Sequence, residues 1–283
     1  MATVDLHLHT TFSDGRLSPT ELVSLLVERG IKVAAITDHD STEGLTEAFK
    51  AKEAFPQLTL IPGVELSAEA PGTEIHILGY FIDWTSVKFQ NVLSQFRKDR
   101  VGRGKAIVDK LTELGMPVEW DRVLQLSDGG AVGRPHIAWA LIEKGYVTEF
   151  KEAFDLYLGR GGPAYVGRNR LSPMDAVNLI RNVGGVAVLA HPTWVKDLPS
   201  QLQKLKESGL VGMEVYYGGY SPKTVKELKK IADSFGLIPC GGSDYHAKDT
   251  DGESFPGDQG PPVESVDMMM DLSENEKMFR DII

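Results

Sequence analysis

The stretch VDLHLHTTFSDG, residues 4–15, alternates apolar Val4, Leu6 and Leu8 with Asp5, His7 and His9. In a strand, residues two apart share a face, so His7 and His9 point the same way, a few ångströms from each other. Asp14 follows in a turn-like Ser13-Asp14-Gly15. Further histidines and carboxylates recur in Thr37-Asp38-His39-Asp40, at Glu65, in Glu74-Ile75-His76, at His191-Pro192 and in Ser243-Asp244-Tyr245-His246. Of the seven histidines, only His136 stands outside these segments. Any one of them could be a satisfied polar residue at a strand end; their joint recurrence argues for ligands. Six imidazoles with Asp14, Glu65 and Asp244 exceed what one ion can take and suffice for about two or three. Imidazole and carboxylate without thiolate suit zinc, manganese, iron or nickel. Ion clusters of that kind clamp the attacking and leaving oxygens of phosphoryl transfer.

The elements that must position these side chains follow one grammar. Helical patterns open at Ser18-Pro19, Ser172-Pro173 and Ser221-Pro222 and close at Gly30, Gly184 and Gly236. Serine caps the first turn, proline suits the first helical position, and glycine suits the left-handed end. Glu21 and Asp175 stand three residues after their serines, as in a capping box. Apolar strands follow these helices at Val33–Ile36, Val186–Ala190 and Leu237–Cys240, with further candidates at Leu58–Val64, Ile75–Phe81 and Val211–Val215. Alternating strands and helices argue for parallel βαβ units, and continuous apolar runs argue for strands buried on both faces. Seven such strands, counting the first, predict an α/β fold, a barrel of the (β/α) kind rather than an open sheet, with a helical insertion. Ligands at strand ends would then converge on one cup at the carboxyl end of the barrel.

The middle of the chain breaks the grammar. From about Val87 to Tyr157 the patterns are helical, with no strand. Residues 1–84 and 166–283 are thus expected to form the barrel and its tail, and residues 85–165 a helical lid over the cup. Gly102-Arg103-Gly104-Lys105 has the wrong glycine spacing for a phosphate loop, and Ala106 stands where Ser or Thr is needed. Residues 249–260 read as a loop before a final short helix at 274–283.

Composition narrows the function classes. The 283 residues carry a formal net charge of −10, which argues against a partner as extended as long duplex nucleic acid. Single Cys240 excludes an internal disulfide; it is expected to pack as a small apolar group. The start, MATVDLHLHT, has neither the basic nor the apolar region of a secretory leader, and no apolar run approaches a membrane span. A cytoplasmic protein with no membrane partner is the expectation.

The set His7-Leu8-His9, Asp14, Thr37-Asp38-His39-Asp40, Glu65, His76, His191-Pro192 and Ser243-Asp244-Tyr245-His246 resembles the PHP (polymerase and histidinol phosphatase) family. The resemblance covers about residues 3–83 and 165–250. It implies a distorted (β/α)7 TIM-like barrel, with one metal on His7, His9, Glu65 and Asp244, a second on Glu65, His76 and His191, and a third on Asp14, His39 and His246, with Glu65 as bridge and manganese favoured over zinc or iron. It also implies hydrolysis of phosphate esters by a hydroxide held between the metals. Gly133-Arg134-Pro135-His136 and Gly159-Arg160-Gly161-Gly162-Pro163-Ala164-Tyr165-Val166 are most similar to members acting on 3′,5′-nucleoside bisphosphates or short RNA. A small phosphorylated substrate is therefore expected, with 5′–3′ trimming of short RNA or a histidinol-phosphatase-like activity as alternatives.

Arg134 and Arg160 are the candidates to grip phosphate, since planar guanidinium favours bidentate contact. The competing reading, a solvated helix end or loop, weighs more for Arg160, Arg168 and Arg170 than for Arg134. His136 could bind substrate or assist the leaving oxygen. Asp40 is expected to cap the helix after Ser41, with a sugar-hydroxyl contact as the other reading. Two rivals stand beside the phosphoesterase. A C–N hydrolase of the amidohydrolase kind would be expected to bridge its metals with lysine, and no lysine sits at a strand end. A non-catalytic metal-binding module would be expected to lack ligands.

Overall fold

The computed structural model describes residues 2–70, 73–127, 130–167, 171–248 and 252–275. Seven strands lie side by side in chain order: β1 (Val4–Asp5), β2 (Val33–Ile36), β3 (Thr59–Ala70), β4 (Thr73–Tyr80), β5 (Val186–Leu189), β6 (Gly212–Tyr217) and β7 (Ile238–Gly242). The first and last strands meet beyond their ladders. Leu8 bridges Tyr245, the His9 N–H donates to the Tyr245 carbonyl at 3.0 Å, and the Asp244 N–H donates to the His7 carbonyl at 2.9 Å. This leaves a nearly closed barrel, as expected. Closure needs a bare backbone at Gly242, where a Cβ would lie 2.4 Å from the His7 nitrogen.

One strand departs from the expected parallel order. β4 is antiparallel to both β3 and β5. The β3–β4 pair is a long hairpin joined across two residues, with Ala70 opposite Thr73. The reversal explains an oddity of the sequence: His76 stands near the start of its strand, because that start lies at the same mouth as the ends of the parallel strands.

Helices α1 (Pro19–Glu28) and α2 (Leu45–Lys52) flank the first strands; α7 (Pro173–Arg181), α8 (Leu198–Glu207) and α9 (Pro222–Phe235) flank the later ones. The serine caps form as their sequence implies. Ser18 accepts from the Glu21 N–H while the Glu21 carboxylate returns to the Ser18 N–H at 2.8 Å, and Ser172 and Ser221 accept from Asp175 and Thr224. Gly236 closes α9 at φ +62°. Cys240 is buried, its Sγ 3.4 Å from the Met269 sulfur. The last helix among the described residues, α10, spans Val263–Leu272. It lies ahead of the expected 274–283, of which 276–283 fall outside the described residues. Val266 and Met269, three apart, turn inward and set its packing face.

Between β4 and α7 come α3 (Val87–Glu113), α4 (Trp120–Leu126), α5 (Arg134–Glu143), α6 (Phe150–Ala153) and a π turn at Phe154–Leu158. The reversed β4 ends at the foot of β5, with Tyr80 opposite Val186. α3 carries the chain back: its 27 residues span about 40 Å. At the mouth Arg100 meets the Asp40 carboxylate at 2.6 Å. The helices beyond have their own apolar cluster, including Ile107, Leu111, Val123, Ile137, Leu141 and Leu158. They rest on both sides of the mouth, through Ala131 N–H to the Phe12 carbonyl at 3.2 Å and the Tyr165 hydroxyl to Glu69 at 2.9 Å. Among the described residues no helix is long and apolar enough to cross a membrane.

Candidate metal centre

Glu65, on β3 and 1% exposed, is the hub of the site. Its Oε2 lies 3.2 Å from His7 Nε2, 3.2 Å from His9 Nε2 and 3.1 Å from His39 Nδ1. Its Oε1 lies 2.7 Å from His76 Nδ1 and 3.2 Å from His191 Nε2. The His7 and His9 rings share a face with centroids 5.1 Å apart. Asp244 Oδ1 adds contacts of 3.2 Å to His7 Nε2 and 3.1 Å to His9 Nε2, while Asp14 Oδ1 stands 3.1 Å from His246 Nε2. All nine candidate ligands therefore meet at one mouth.

These contacts test whether the residues suit cations. His9 Nε2, Asp14 Oδ1 and His39 Nδ1 are buried yet make no hydrogen bond, although each has a polar donor atom of another residue 3.1 Å away. Buried polar atoms ordinarily find hydrogen-bond partners. Separations near 3 Å without hydrogen-bond alignment suit donors that share a small ion, since ligand distances of about 2.0–2.2 Å place neighbouring donors roughly 3.0–3.5 Å apart. Three groups have donor atoms within 4.8 Å of one another: His7, His9, Glu65 and Asp244; His39, Glu65 and His76; and His9, Asp14, His39 and His246. The first matches the expected set. The other two differ: His39 faces both Glu65 and Asp14 and so belongs to both, His9 joins Asp14, His39 and His246, and His191 approaches Glu65 from outside them.

The electrostatics are those of buried carboxylates and imidazoles facing one another. Burial pushes Glu65, Asp14 and Asp244 up, but the surrounding imidazoles outweigh it and hold all three well below the usual carboxylate range, with Lys248 adding to the effect on Asp14. Burial pulls His9 and His76 down, but carboxylates carry both up to about 9: Asp244 and Glu65 for His9, Glu65 and Glu74 for His76. For His39 burial wins and lowers the imidazole well below its ordinary value. Imidazoles that attract protons this strongly attract divalent cations at the same atoms.

A second layer of side chains, missed in the sequence, orients the first. Buried Glu214 on β6 lies 3.0 Å from His7 Nδ1 and accepts the His191 N–H at 2.6 Å. The Tyr217 hydroxyl donates to Asp244 Oδ2 at 2.7 Å. Ser13 lies 3.4 Å from His9 Nδ1 and donates to Asp38 at 2.5 Å. Such partners set the tautomer and angle of a ligating imidazole. Glu214 had a sequence signal: a carboxylate in the otherwise uncharged run Gly212–Tyr217 must find a buried partner. Asp40 does not cap a helix. α2 begins only at Leu45, and the Asp40 carboxylate instead accepts from Ser67 N–H and Arg100, tying β3 to α3.

His191 turns the chain. At φ +26° and ψ +63° it holds a conformation costing on the order of 1–3 kcal/mol, and it leads from β5 directly into a 3-10 turn at Pro192–Trp194. Trp194 thereby lands on the rim.

The cup is a cavity of about 210 Å³. Arg134 lines it, pairs with Glu74 at 2.6 Å and lies over the Phe154 ring. Glu74 also reaches His76 at 3.4 Å. His136 does not line the cavity. Its Nδ1 accepts the Gly133 N–H at 3.0 Å, and burial lowers it to about 4, so it is a neutral imidazole. Arg160 lies farther out, in an adjoining groove. Arg168 and Arg170 lie outside the described residues.

A barrel that gathers histidines and carboxylates at one mouth defines a metal-dependent hydrolase, and comparison with known proteins specifies the kind. Residues 5–157 match the PHP domain, and the chain belongs to that family. It is 36% identical over 250 residues to the 5′-3′ exoribonuclease Rnm of Salmonella typhimurium, covering 86% of this chain and 84% of that protein. It is 33% identical over 252 residues to a 3′,5′-nucleoside bisphosphate phosphatase of Chromobacterium violaceum, covering 87% and 88%. A solved structure from Bifidobacterium adolescentis, described as a metal-dependent phosphoesterase, superposes with a TM-score of 0.86 at 29% identity over 96% of both chains. The chain is a phosphoric ester hydrolase.

Proposed function

We propose that this chain hydrolyses phosphate esters at the ends of small nucleotides, of the 3′,5′-nucleoside bisphosphate type, using two or three divalent cations, with manganese favoured. The observation that carries the reading is the ring of five imidazoles around the buried Glu65 carboxylate, of which His9 Nε2 and His39 Nδ1 approach it to 3.2 and 3.1 Å without hydrogen bonding. His7, His9, Glu65 and Asp244 would hold one cation, Glu65 and His76 with His191 or His39 a second, and Asp14, His39 and His246 a third. Cations held there would lower the pKa of bound water to near 7 and polarise phosphoryl oxygens.

The protein's own part is to hold and orient. Glu65 gathers five imidazoles and would be shared between cations, and Glu214, Tyr217 and Ser13 hold His7, Asp244 and His9 in register. Arg134 has its fork at the cavity wall, where a substrate phosphate competes with Glu74 for it. His136, neutral and lent to its own helix, acts by setting the Gly133–Arg134 backbone against the cavity, a narrower role than a leaving-group acid. Residues 85–165 form a roof over the barrel halves 1–84 and 166–283 and keep the cup small, which restricts it to chain ends. The setting is cytoplasmic. Trimming of a short RNA from its 5′ end is the second reading, favoured by the open groove that continues the cup past Arg134.

The test is phosphate release from nucleoside mono- and bisphosphates and short 5′-phosphorylated RNAs with manganese supplied, before and after chelation, in the wild type and Glu65→Gln. Release that needs manganese and falls by orders of magnitude in Glu65→Gln is expected. Full turnover by demetallated protein would overturn the reading.

A further inference from the structure

The metal cup opens into a wider groove of about 590 Å³. Six residues line both: Glu74, His76, Arg134, Phe154, His191 and Trp194. The groove is therefore a continuation of the cup, and its chemistry differs. Arg134, Lys151, Arg160 and Lys196 line it against the single carboxylate of Glu74, on a chain whose net charge is −10. Arg134 is engaged by Glu74, and Lys151 by Asp155. Arg160 and Lys196 have no carboxylate partner among the described residues, so the groove keeps free positive charge for an anion.

Trp194 is its most unusual member. Large aromatic side chains bury most of their area when packing alone decides, yet Trp194 is 60% exposed. It is nevertheless held. Its indole lies against the His191 ring at 4.2 Å and 32°, and meets the edge of Tyr217 at 5.9 Å and 77°. One side of the indole is braced by the residue that closes on Glu65, and the rest faces the groove. A braced, exposed indole beside free cations, continuous with a phosphate-cleaving cup, is the arrangement that takes a nucleobase: aromatic faces stack any base, and cations take its phosphate.

We infer that the groove is a nucleobase subsite in which Trp194 stacks a base of the substrate while Arg160 and Lys196 attract the phosphate it carries. The inference rests on the phosphoesterase reading of the cup and adds what makes the enzyme select nucleotides over other phosphate esters. Stacking of one base on an aromatic side chain is worth a factor of roughly 5 to 150 at 25 °C.

The experiment compares an adenosine 3′,5′-bisphosphate with ribose 3,5-bisphosphate, which lacks the base, in manganese-loaded wild type, Trp194→Ala and Trp194→Phe. The ratio of kcat/KM between the two substrates is the readout, because any disturbance of His191 by the substitution lowers both alike. The wild type is expected to prefer the base-bearing substrate by roughly 5- to 150-fold. Trp194→Ala should bring the ratio close to one, and Trp194→Phe should keep most of it. A ratio unchanged in Trp194→Ala, whether rates hold or fall together, would overturn the subsite. Indole fluorescence decides the point independently of turnover: the adenosine compound should alter wild-type emission, ribose bisphosphate should not, and Trp194→Ala should lose the response. Emission indifferent to the base would equally sink the proposal. If the wild type released phosphate from neither compound, the phosphoesterase reading would fall, and the fluorescence result alone would decide whether the base is bound.

Discussion

Glutamine at position 214 keeps the shape of the side chain behind His7 and changes one atom's hydrogen-bonding sense. Glu214 accepts the His191 N–H at 2.6 Å through one oxygen and sits 3.0 Å from His7 Nδ1 with the other. In Glu214→Gln the amide oxygen is claimed by the His191 N–H, because a buried N–H cannot be left unpaired. The amide NH₂ then faces His7 Nδ1, which must become an acceptor. The imidazole proton moves to Nε2, the atom 3.2 Å from both Glu65 and Asp244. A protonated Nε2 cannot ligate. Loss of a partner of this kind costs about 10- to 100-fold in metal affinity, or roughly 1.4–2.7 kcal/mol. At fixed excess manganese, the stabilisation by bound metal shrinks by the same amount. Unfolding entropy of about 2.1 cal/mol/K per residue gives on the order of 0.6 kcal/mol/K for 283 residues, so the manganese-induced rise in Tm should shrink by about 2–5 °C. Thermal melts across a manganese titration, with metal content measured after gel filtration, provide the assay. A variant that binds manganese as tightly as the wild type and shows the same rise in Tm would refute the role given to Glu214.

Two further outcomes follow from the cup. Arg134→Ala should lower kcat/KM by roughly one to two orders of magnitude, as for a lost charged contact of about 1.5–3 kcal/mol, with metal content unchanged; wild-type kinetics on every phosphorylated substrate would remove Arg134 from the site. Metal loading should release protons, because His9 and His76 sit at about 9 in the metal-free protein. Raised above the unfolded imidazole value, they contribute stability that is full below about pH 6.5 and lost as pH rises through about 9. A cation must displace both protons at pH 7, so calorimetry in two buffers of different ionisation enthalpy should report about two or more protons per chain. The release should vanish above about pH 9, and no release at pH 7 would show that these imidazoles are neutral before loading.

The clustering of the candidate ligands was legible because histidine and carboxylate at the ends of apolar runs are chemically conspicuous, and because a barrel turns strand ends into neighbours. His7, Glu65, His191 and Asp244 needed no long-range information beyond the fold class. The reversed β4 was less legible. Ile75–Phe81 reads as a buried strand in either direction, and direction is set by which neighbours it pairs with. His76 at the front of its run was the clue. Asp40 misled through local grammar: an acidic residue before Ser41 looks like a cap, but the salt bridge to Arg100, 60 residues away, captured it. Trp194 was invisible for a related reason. Its position depends on the turn at His191, a backbone property that residue types do not record. The helix at Val263–Leu272 was not read from the sequence, although Val266 and Met269, three apart, carry its buried face.

The meeting of the first and last strands orders events in time as well as in space. His7 and His9 leave the ribosome first, but Asp244 and His246, which complete two of the three donor groups, follow some 235 residues later. At about 5–20 residues per second, that is on the order of ten to fifty seconds of synthesis. Once His76 is made, the group of His39, Glu65 and His76 is the one whose members are all present, while the other two each lack one donor. The remaining imidazoles stay open to protons or to whichever ion arrives, until β7 docks against β1. Two of the three donor groups are thus completed only by the finished barrel, and the strand made last closes over the residues made first.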